Sequence, residues 1–240
     1  MAATVQLLRA GRLEYRAALR WQRETATLVR NRGPGGSGSR DGRDHEAVML
    51  VEHCPVYTLG RRGGGEHVLR TEAELAARGA ELIKSDRGGD VTFHGPGQLV
   101  VYPILDLRAR GIGSVDYVRA LERVVIDTLH QFGLTGARVR GRPGVWTGNA
   151  KLAAIGVRVQ GGVSTHGLAL NVSTDLSWFD AIVPCGLPDA GIASLQGLLG
   201  TTPPIAEVES AVVRGLRARL GLDLREVHAT AVEQGLRRAG

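Results

Sequence analysis

The sequence predicts an α+β fold, a mixed and largely antiparallel sheet flanked by helices, on three observations. Five apolar runs of strand length lie at 47–52, 81–85, 98–105, 152–160 and 163–172, and the last two are separated only by a turn containing Gly161-Gly162, a pair suited to a tight hairpin. Segments 13–29, 114–132 and the stretch after Pro203-Pro204 carry apolar residues at helical spacing. Strands dominate the middle of the chain and helices its end, the order expected of α+β. The 240 residues suffice for one buried core, so a single domain over 1–240 is expected, with no internal repeat.

Each element has its own signal. Residues 13–29 read as a helix with Leu13, Ala17, Leu19 and Leu28 among arginines and glutamates. Residues 31–44 are glycine, serine and charge with almost no apolar residue, which predicts a mobile surface loop whose deletion is tolerated. A strand follows at 47–52, then a short helix at 71–78 with Thr71 as its cap, then a strand at 81–85. Residues 98–105 read as a continuous buried strand. The helix over 114–132 presents Val115, Val118, Leu121, Val125, Leu129 and Phe132 on one face, which is core and not a cofactor site. Residues 145–146, 152–160 and 163–172 predict antiparallel strands, so that Lys151 and His166 lie on one hairpin. Over 201–240, Val208, Val212, Leu216 and Leu220 mark a helix opened by the proline pair, and 226–237 reads as a last helix.

Three segments carry chemistry. Residues 87–103 crowd Arg87, Asp90, Thr92 and His94 among glycines and then run into an apolar strand. Glycines at this density let backbone N–H groups approach a ligand closely; alone, the segment is read equally well as a tight turn. Lys151 stands between the turn-rich stretch 141–150 and a small, apolar strand. Cys185 sits between Pro184 and Gly186, a turned backbone that presents the sulfur, whereas Cys54 reads as an ordinary small core residue. Neither 60–65 nor 141–157 has the Gly, four residues, Gly-Lys-Ser/Thr spacing of a phosphate loop. A scattered metal set of His53, Cys54, His94, His166 and Cys185 lacks any anchoring pair of ligands, so no metal and no cofactor are expected.

In order along the chain, the 87–103 stretch, the Lys151 segment, Thr165-His166-Gly167-Leu168-Ala169 and Pro184-Cys185-Gly186-Leu187 resemble the lipoyl(octanoyl) transferase family. The resemblance runs from about residue 48 to about 199. It implies the fold shared by biotin and lipoate protein ligases. It implies octanoyl transfer from octanoyl-acyl carrier protein to a lysine of the lipoyl domains of 2-oxoacid dehydrogenases and of glycine cleavage H protein. It also implies Cys185 as the acyl-accepting nucleophile with Lys151 as its partner, and a substrate wall of Arg87, Gly88, Gly89, Asp90, Val91, Thr92, Phe93, His94, Ala154, Ile155, Gly156, Gly167, Leu168 and Ala169.

Such a pair is chemically apt. A thiol of ordinary pKa, about 8.5, is only a few per cent thiolate near neutrality, and an ammonium within about 4–6 Å favours the thiolate. His94 and His166 are candidates to orient Lys151 or to donate to the developing oxyanion, with backbone N–H groups as the alternative. Two other activities use the same residue types. An ATP-dependent lipoate or biotin ligase would set Lys151 on an acyl-adenylate phosphate and has no need of Cys185, and a non-catalytic module would only hold acyl carriers or lipoyl domains.

Net charge is +6, with 30 Lys and Arg against 24 Asp and Glu. Arg61-Arg62 and Arg138, Arg140 and Arg142 concentrate it near the glycine-rich segments, which suits an acidic carrier protein as partner. Aromatic residues are 4% and do not interleave with the arginines, which argues against nucleic acid. Residues 1–9 lack the apolar core of a signal peptide, no run reaches membrane-spanning length, and the 2 cysteines supply no disulfide framework. A cytoplasmic, monomeric protein without membrane contact is therefore expected.

Overall fold

The computed structural model describes residues 4–31, 45–184 and 190–227. It opens with a strand β1 (Thr4–Leu13) that the sequence reading did not place, followed by α1 (Tyr15–Arg30). Next come β2 (Ala47–His53), β3 (Val56–Leu59), α2 (Glu72–Ala77), β4 (Glu81–Lys84), β5 (Val91–His94) and β6 (Gln98–Ile104). After α3 (Ser114–Gln131) the chain forms β7 (Ala137–Val139), β8 (Arg142–Thr147), β9 (Ala150–Gln160) and β10 (Val163–Asn171). It continues through β11 (Gly191–Ile192), α4 (Leu195–Leu199), α5 (Ile205–Leu220) and β12 (Asp223–Val227).

Most strands join one mixed sheet in the order β12-β1-β2-β6-β10-β9-β8-β7, with β11 beside β9. The β1–β12, β1–β2 and β9–β11 pairs are parallel, and the pairs from β2 through β7 are antiparallel. A second sheet, β4-β3-β5, lies in the segment leading to the glycine-rich stretch. Alternation divides the core. Val48 and Leu50 of β2 join Leu121, Val125, Leu129, Val208, Val212 and Leu216 of α3 and α5, while Met49 and Val51 join Ala18, Ala26 and Val29 of α1. With both faces covered, β2 reads as an unbroken apolar run.

Local signals explain the boundaries. Thr71 accepts from the Glu74 amide and Glu74 returns the bond, a capping box on α2. Gly161 and Gly162, both at positive φ (59° and 86°), close the β9–β10 hairpin.

Three expectations change. The first helix starts two residues later than residue 13, because Leu13 still pairs with His53 at the end of β1. Val115 is 63% exposed, so the buried face of α3 begins further along the helix. Glu226 and Val227, expected to open a last helix over 226–237, instead lie in β12, pairing with Leu7 and Leu8 of β1. Residues 228–237 of that expected helix lie outside the described residues, as do 32–44 of the expected loop. Among the described residues, no helix is long and apolar enough to cross a membrane.

Candidate active site

A cavity of about 720 Å³ lies between the glycine-rich segment and the β9–β10 hairpin, a volume typical of small-molecule sites. It is lined by Arg87, Gly88, Gly89, Asp90, Val91, Thr92 and His94 from one side, and by Lys151, Ala154, Ile155, Gly156, His166, Gly167, Leu168 and Ala169 from the other. Strand register aligns the small residues: Gly156 pairs with Gly167, and Ala154 with Ala169. Backbone contacts fix these glycines. The Gly88 amide donates to the Val157 carbonyl (3.0 Å), and a Cβ on Gly156 would meet the Gly88 oxygen at 2.8 Å.

Lys151 is 6% exposed, unusual for a lysine. A bulge positions it. Val145 pairs with Ala153 while the next residue, Trp146, pairs with Lys151, so Leu152 is the extra residue of β9. The insertion resets the side-chain alternation between Lys151 and the rest of the strand. The ammonium lies 4.8 Å from the centroid of the Trp146 ring, which is 1% exposed, a contact worth about 0.5–2 kcal/mol.

The histidines around the cavity are held neutral. Burial, seconded by the charges of His53 and Arg87, lowers His94 to about 3, and burial lowers His53 to about 4. His166 is also lowered, burial outweighing its bond to Asp86. Hydrogen bonds assign the tautomers. His94 Nδ1 donates to Gln98 Oε1 (2.7 Å), because the Gln98 amide nitrogen is committed to Asn171 Oδ1 (2.9 Å) and the Phe93 carbonyl (3.2 Å). His53 Nδ1 donates to the Leu13 carbonyl (2.9 Å), and its Nε2 accepts from the Tyr102 hydroxyl (2.8 Å). His166 Nε2 donates to Asp86 Oδ1 (2.8 Å). That hydrogen bond is the main reason the Asp86 carboxyl lies below the usual carboxylate range, with Arg158 adding to it.

These assignments weigh against the oxyanion-donor role expected of the two histidines; the other role expected of His94, orienting Lys151, needs only a lone pair. A neutral ring that spends its single N–H on Gln98 or Asp86 presents a lone pair at its other nitrogen and has no proton for an oxyanion. His166 also stands opposite Val157, six residues along β9 from Lys151, about 20 Å at the rise of an extended strand and beyond direct contact with the ammonium. His166 is instead locked at the far end. It is the one described non-glycine residue with positive φ (58°), and its amide donates to Gln22 Oε1 (2.7 Å) on α1.

Phe93 does not line the cavity. Its ring, 0% exposed, stacks on Trp178 (5.1 Å, 6°) and packs with Tyr57 and Phe179, filling the core under the small sheet. Cys185 lies outside the described residues, but the chain on both sides of 185–189 is anchored. The Val183 amide donates to the His67 carbonyl (2.9 Å). On the other side Ile192 of β11 pairs with Lys151, and the Ala193 amide donates to the Lys151 carbonyl (2.9 Å). Cys54 is half-buried, and its thiol is shifted up first by a hydrogen bond with Glu14, so its thiolate is disfavoured.

Sequence reasoning missed several residues of the site. Tyr15 lines the cavity and stacks on His94 (6.1 Å, 7°), and Tyr102 also lines it. Asp86 precedes the glycine-rich stretch by one position, and its acid-base pair with Arg87 was the available signal. Arg87, 7% exposed, is gripped by Thr58, whose hydroxyl accepts from Nε (3.0 Å) and whose carbonyl accepts from the guanidinium, and by the Gly88 carbonyl (3.1 Å). Nothing in the local sequence marks Thr58.

Residues 19–217 match the model of the lipoyl protein ligase A/B catalytic domain. A protein of Chloroflexus aggregans named octanoyltransferase is 47% identical over 229 residues, 94% of this chain and 98% of its own. Among solved structures, lipoate-protein ligase A bound with ATP superposes with a TM-score of 0.75 at 19% identity, covering 99% of this chain and 94% of its own. Biotin protein ligase from Aquifex aeolicus in complex with biotin and ATP does so with a TM-score of 0.52 at 11% identity, covering 90% and 70%. These last two bear on fold alone: the mixed sheet and its helices are the biotin and lipoate ligase catalytic fold. Sequence identity over nearly the whole chain carries the narrower conclusion, that this protein belongs to the octanoyltransferase family of acyltransferases.

Proposed function

We propose that the protein transfers octanoyl from octanoyl-acyl carrier protein to a lysine of lipoyl domains, those of 2-oxoacid dehydrogenases and of glycine cleavage H protein, through a thioester on Cys185. The observation that carries this reading is the pairing of Ile192 with Lys151. It ties the strand that follows Pro184-Cys185-Gly186-Leu187 to the backbone of the one lysine lining the cavity. The small residues at Ala154, Gly156, Gly167 and Ala169 leave room for an unbranched chain beside that lysine. At about 0.8 kcal/mol per buried methylene, such a cavity gains affinity steadily with chain length.

The proton accounting closes with one lysine. In the first half-reaction the Cys185 thiolate, paired with the Lys151 ammonium, attacks the donor carbonyl, and the carrier sulfur leaves and takes a proton from Lys151. In the second, the acceptor amine attacks the Cys185 thioester and gives a proton to the now neutral Lys151 as the amide forms and the thiolate departs. Thiolate and ammonium are restored, and no ATP enters. With His94 and His166 presenting lone pairs, the oxyanion falls to backbone N–H groups.

Intact mass after mixing with octanoyl-carrier protein tests this reading. An octanoyl adduct is expected on the protein, absent in Cys185→Ala and slower to form and to transfer in Lys151→Ala. Product from free octanoate and ATP alone would establish the ligase instead, and binding without adduct or product would establish a non-catalytic module.

A further inference from the structure

The cavity carries more positive charge than an acyl chain requires. Among the described residues, Arg61, Arg62, Arg87, Arg142 and Lys151 line it, against Asp90 as the single carboxylate. That carboxylate is engaged by His67, whose Nδ1 lies 2.5 Å from Oδ2, and the lining histidines are neutral. Arg87 is held by Thr58 and Gly88, Lys151 stands over Trp146, and Arg142 lies 5.8 Å from the same ring. Arg61 and Arg62 are exposed, and neither makes an ion pair among the described residues.

Their backbone is nonetheless built into the wall. The Arg61 amide donates to the Arg87 carbonyl (3.0 Å) and the Arg62 amide to the Gly89 carbonyl (3.0 Å), beside the Gly88 contact to Val157. The two guanidinium groups therefore spring from the end of the cavity remote from Lys151, about 20 Å along the strand.

Resting on the transferase reading above, we infer that Arg61 and Arg62 form an anion subsite for the phosphate of the donor's 4′-phosphopantetheine arm. The arm has about thirteen bonds from sulfur to phosphorus and extends roughly 16 Å, from the advance per bond of an extended chain. That reach, met by the long arginine side chains extending back from the Arg61–Arg62 turn, brings the phosphate of a thioester seated beside Lys151 to their guanidinium groups. The donor then bends at its sulfur, acyl chain against the small residues and arm beneath the turn. Guanidinium is suited to this ligand, since its fork matches phosphate oxygens in pairs. Both carrier protein and coenzyme A bear this phosphate, and the test separates them.

The experiment compares octanoyl transfer from octanoyl-carrier protein, octanoyl-coenzyme A, S-octanoyl-4′-phosphopantetheine and S-octanoyl-pantetheine, in the full-length protein and in the double variant Arg61→Gln/Arg62→Gln. The exposed positions spare the fold. The unaltered protein is expected to favour the phosphopantetheine thioester over the pantetheine thioester at least tenfold in kcat/KM. The double variant should erase that preference while using the pantetheine thioester within about twofold of the original rate, in keeping with loss of a charge-assisted contact. An equal loss on both small thioesters would overturn the inference, and so would a loss confined to the carrier protein, which would place the arginines on a protein-docking surface. If no thioester is used and only octanoate with ATP gives product, the transferase reading itself fails, a different result from any of these.

Discussion

Acidification from pH 7.5 to pH 5 should destabilise the fold by about 4 kcal/mol through His53 and His94. In the unfolded chain both rings titrate near 6.5, whereas in the folded protein burial holds them at about 4 and about 3. Between those values the unfolded chain binds more protons, so stability rises with pH and is lost as pH falls through 6.5. At 1.36 kcal/mol per unit, each ring contributes about 2 kcal/mol by pH 5. For a chain of this size that corresponds to a fall in Tm of roughly 8–16 °C. His166, also shifted down by burial, acts in the same direction. Asp86 has the same sign in a lower window: its carboxyl, held low first by the His166 bond, contributes stability above the unfolded carboxylate value near 3.9 and loses it only below, outside this range. Urea titrations at several pH values measure the slope, and His94→Gln should halve it. Imidazole proton resonances of His53 and His94 that titrate near 6.5 would refute the reasoning, as would an unchanged slope in the variant.

Three further outcomes follow from the geometry. Gly167→Ala places a Cβ 2.1 Å from the Val101 carbonyl oxygen and 2.9 Å from Pro103; the hairpin must shift away from β6, at a cost of about 1–3 kcal/mol or more in urea unfolding. Thr58→Val, fully buried, removes the hydroxyl that accepts from Arg87 Nε, and chemical denaturation should register about 1–3 kcal/mol for the stranded donor. Ala154→Leu fills the cavity beside Ala169; excluding up to three methylenes at about 0.8 kcal/mol each should cut octanoyl kcat/KM by as much as about sixtyfold and a butyryl donor much less, and a parallel fall for both chain lengths would show that the substitution acts elsewhere.

What was legible in the sequence was what repeats locally. The continuous apolar run of β6, the glycine pair closing the β9–β10 hairpin and the cap at Thr71 each need only a few neighbouring residues to specify them. The glycine-rich stretch and Lys151 stood out for the same reason, and the fold brings them to one cavity. The misses depend on partners far along the chain. β1 is broken up by Arg9, Gly11 and Arg12 and becomes a strand because β2 and β12 flank it. Phe93 sits among ligand-wall residues yet turns to Trp178, 85 positions later. The tautomer of His166 is set by Asp86, 80 positions earlier, and Gln22 supports His166 across 144 positions. Such choices belong to tertiary hydrogen bonding.

The parallel pairing of β1 with β12 bears on how the polypeptide matures. Thr4 and Asp223 are register partners, joined also by a 3.1 Å side-chain hydrogen bond across 219 positions. During vectorial synthesis β1 emerges 219 positions ahead of its partner in β12 and waits with that flank bare. Closing so long a loop is entropically slow, and until it closes the open strand edge can pair with other nascent chains. Trimming back from residue 227 should therefore first show itself as self-association, before any loss of the cavity.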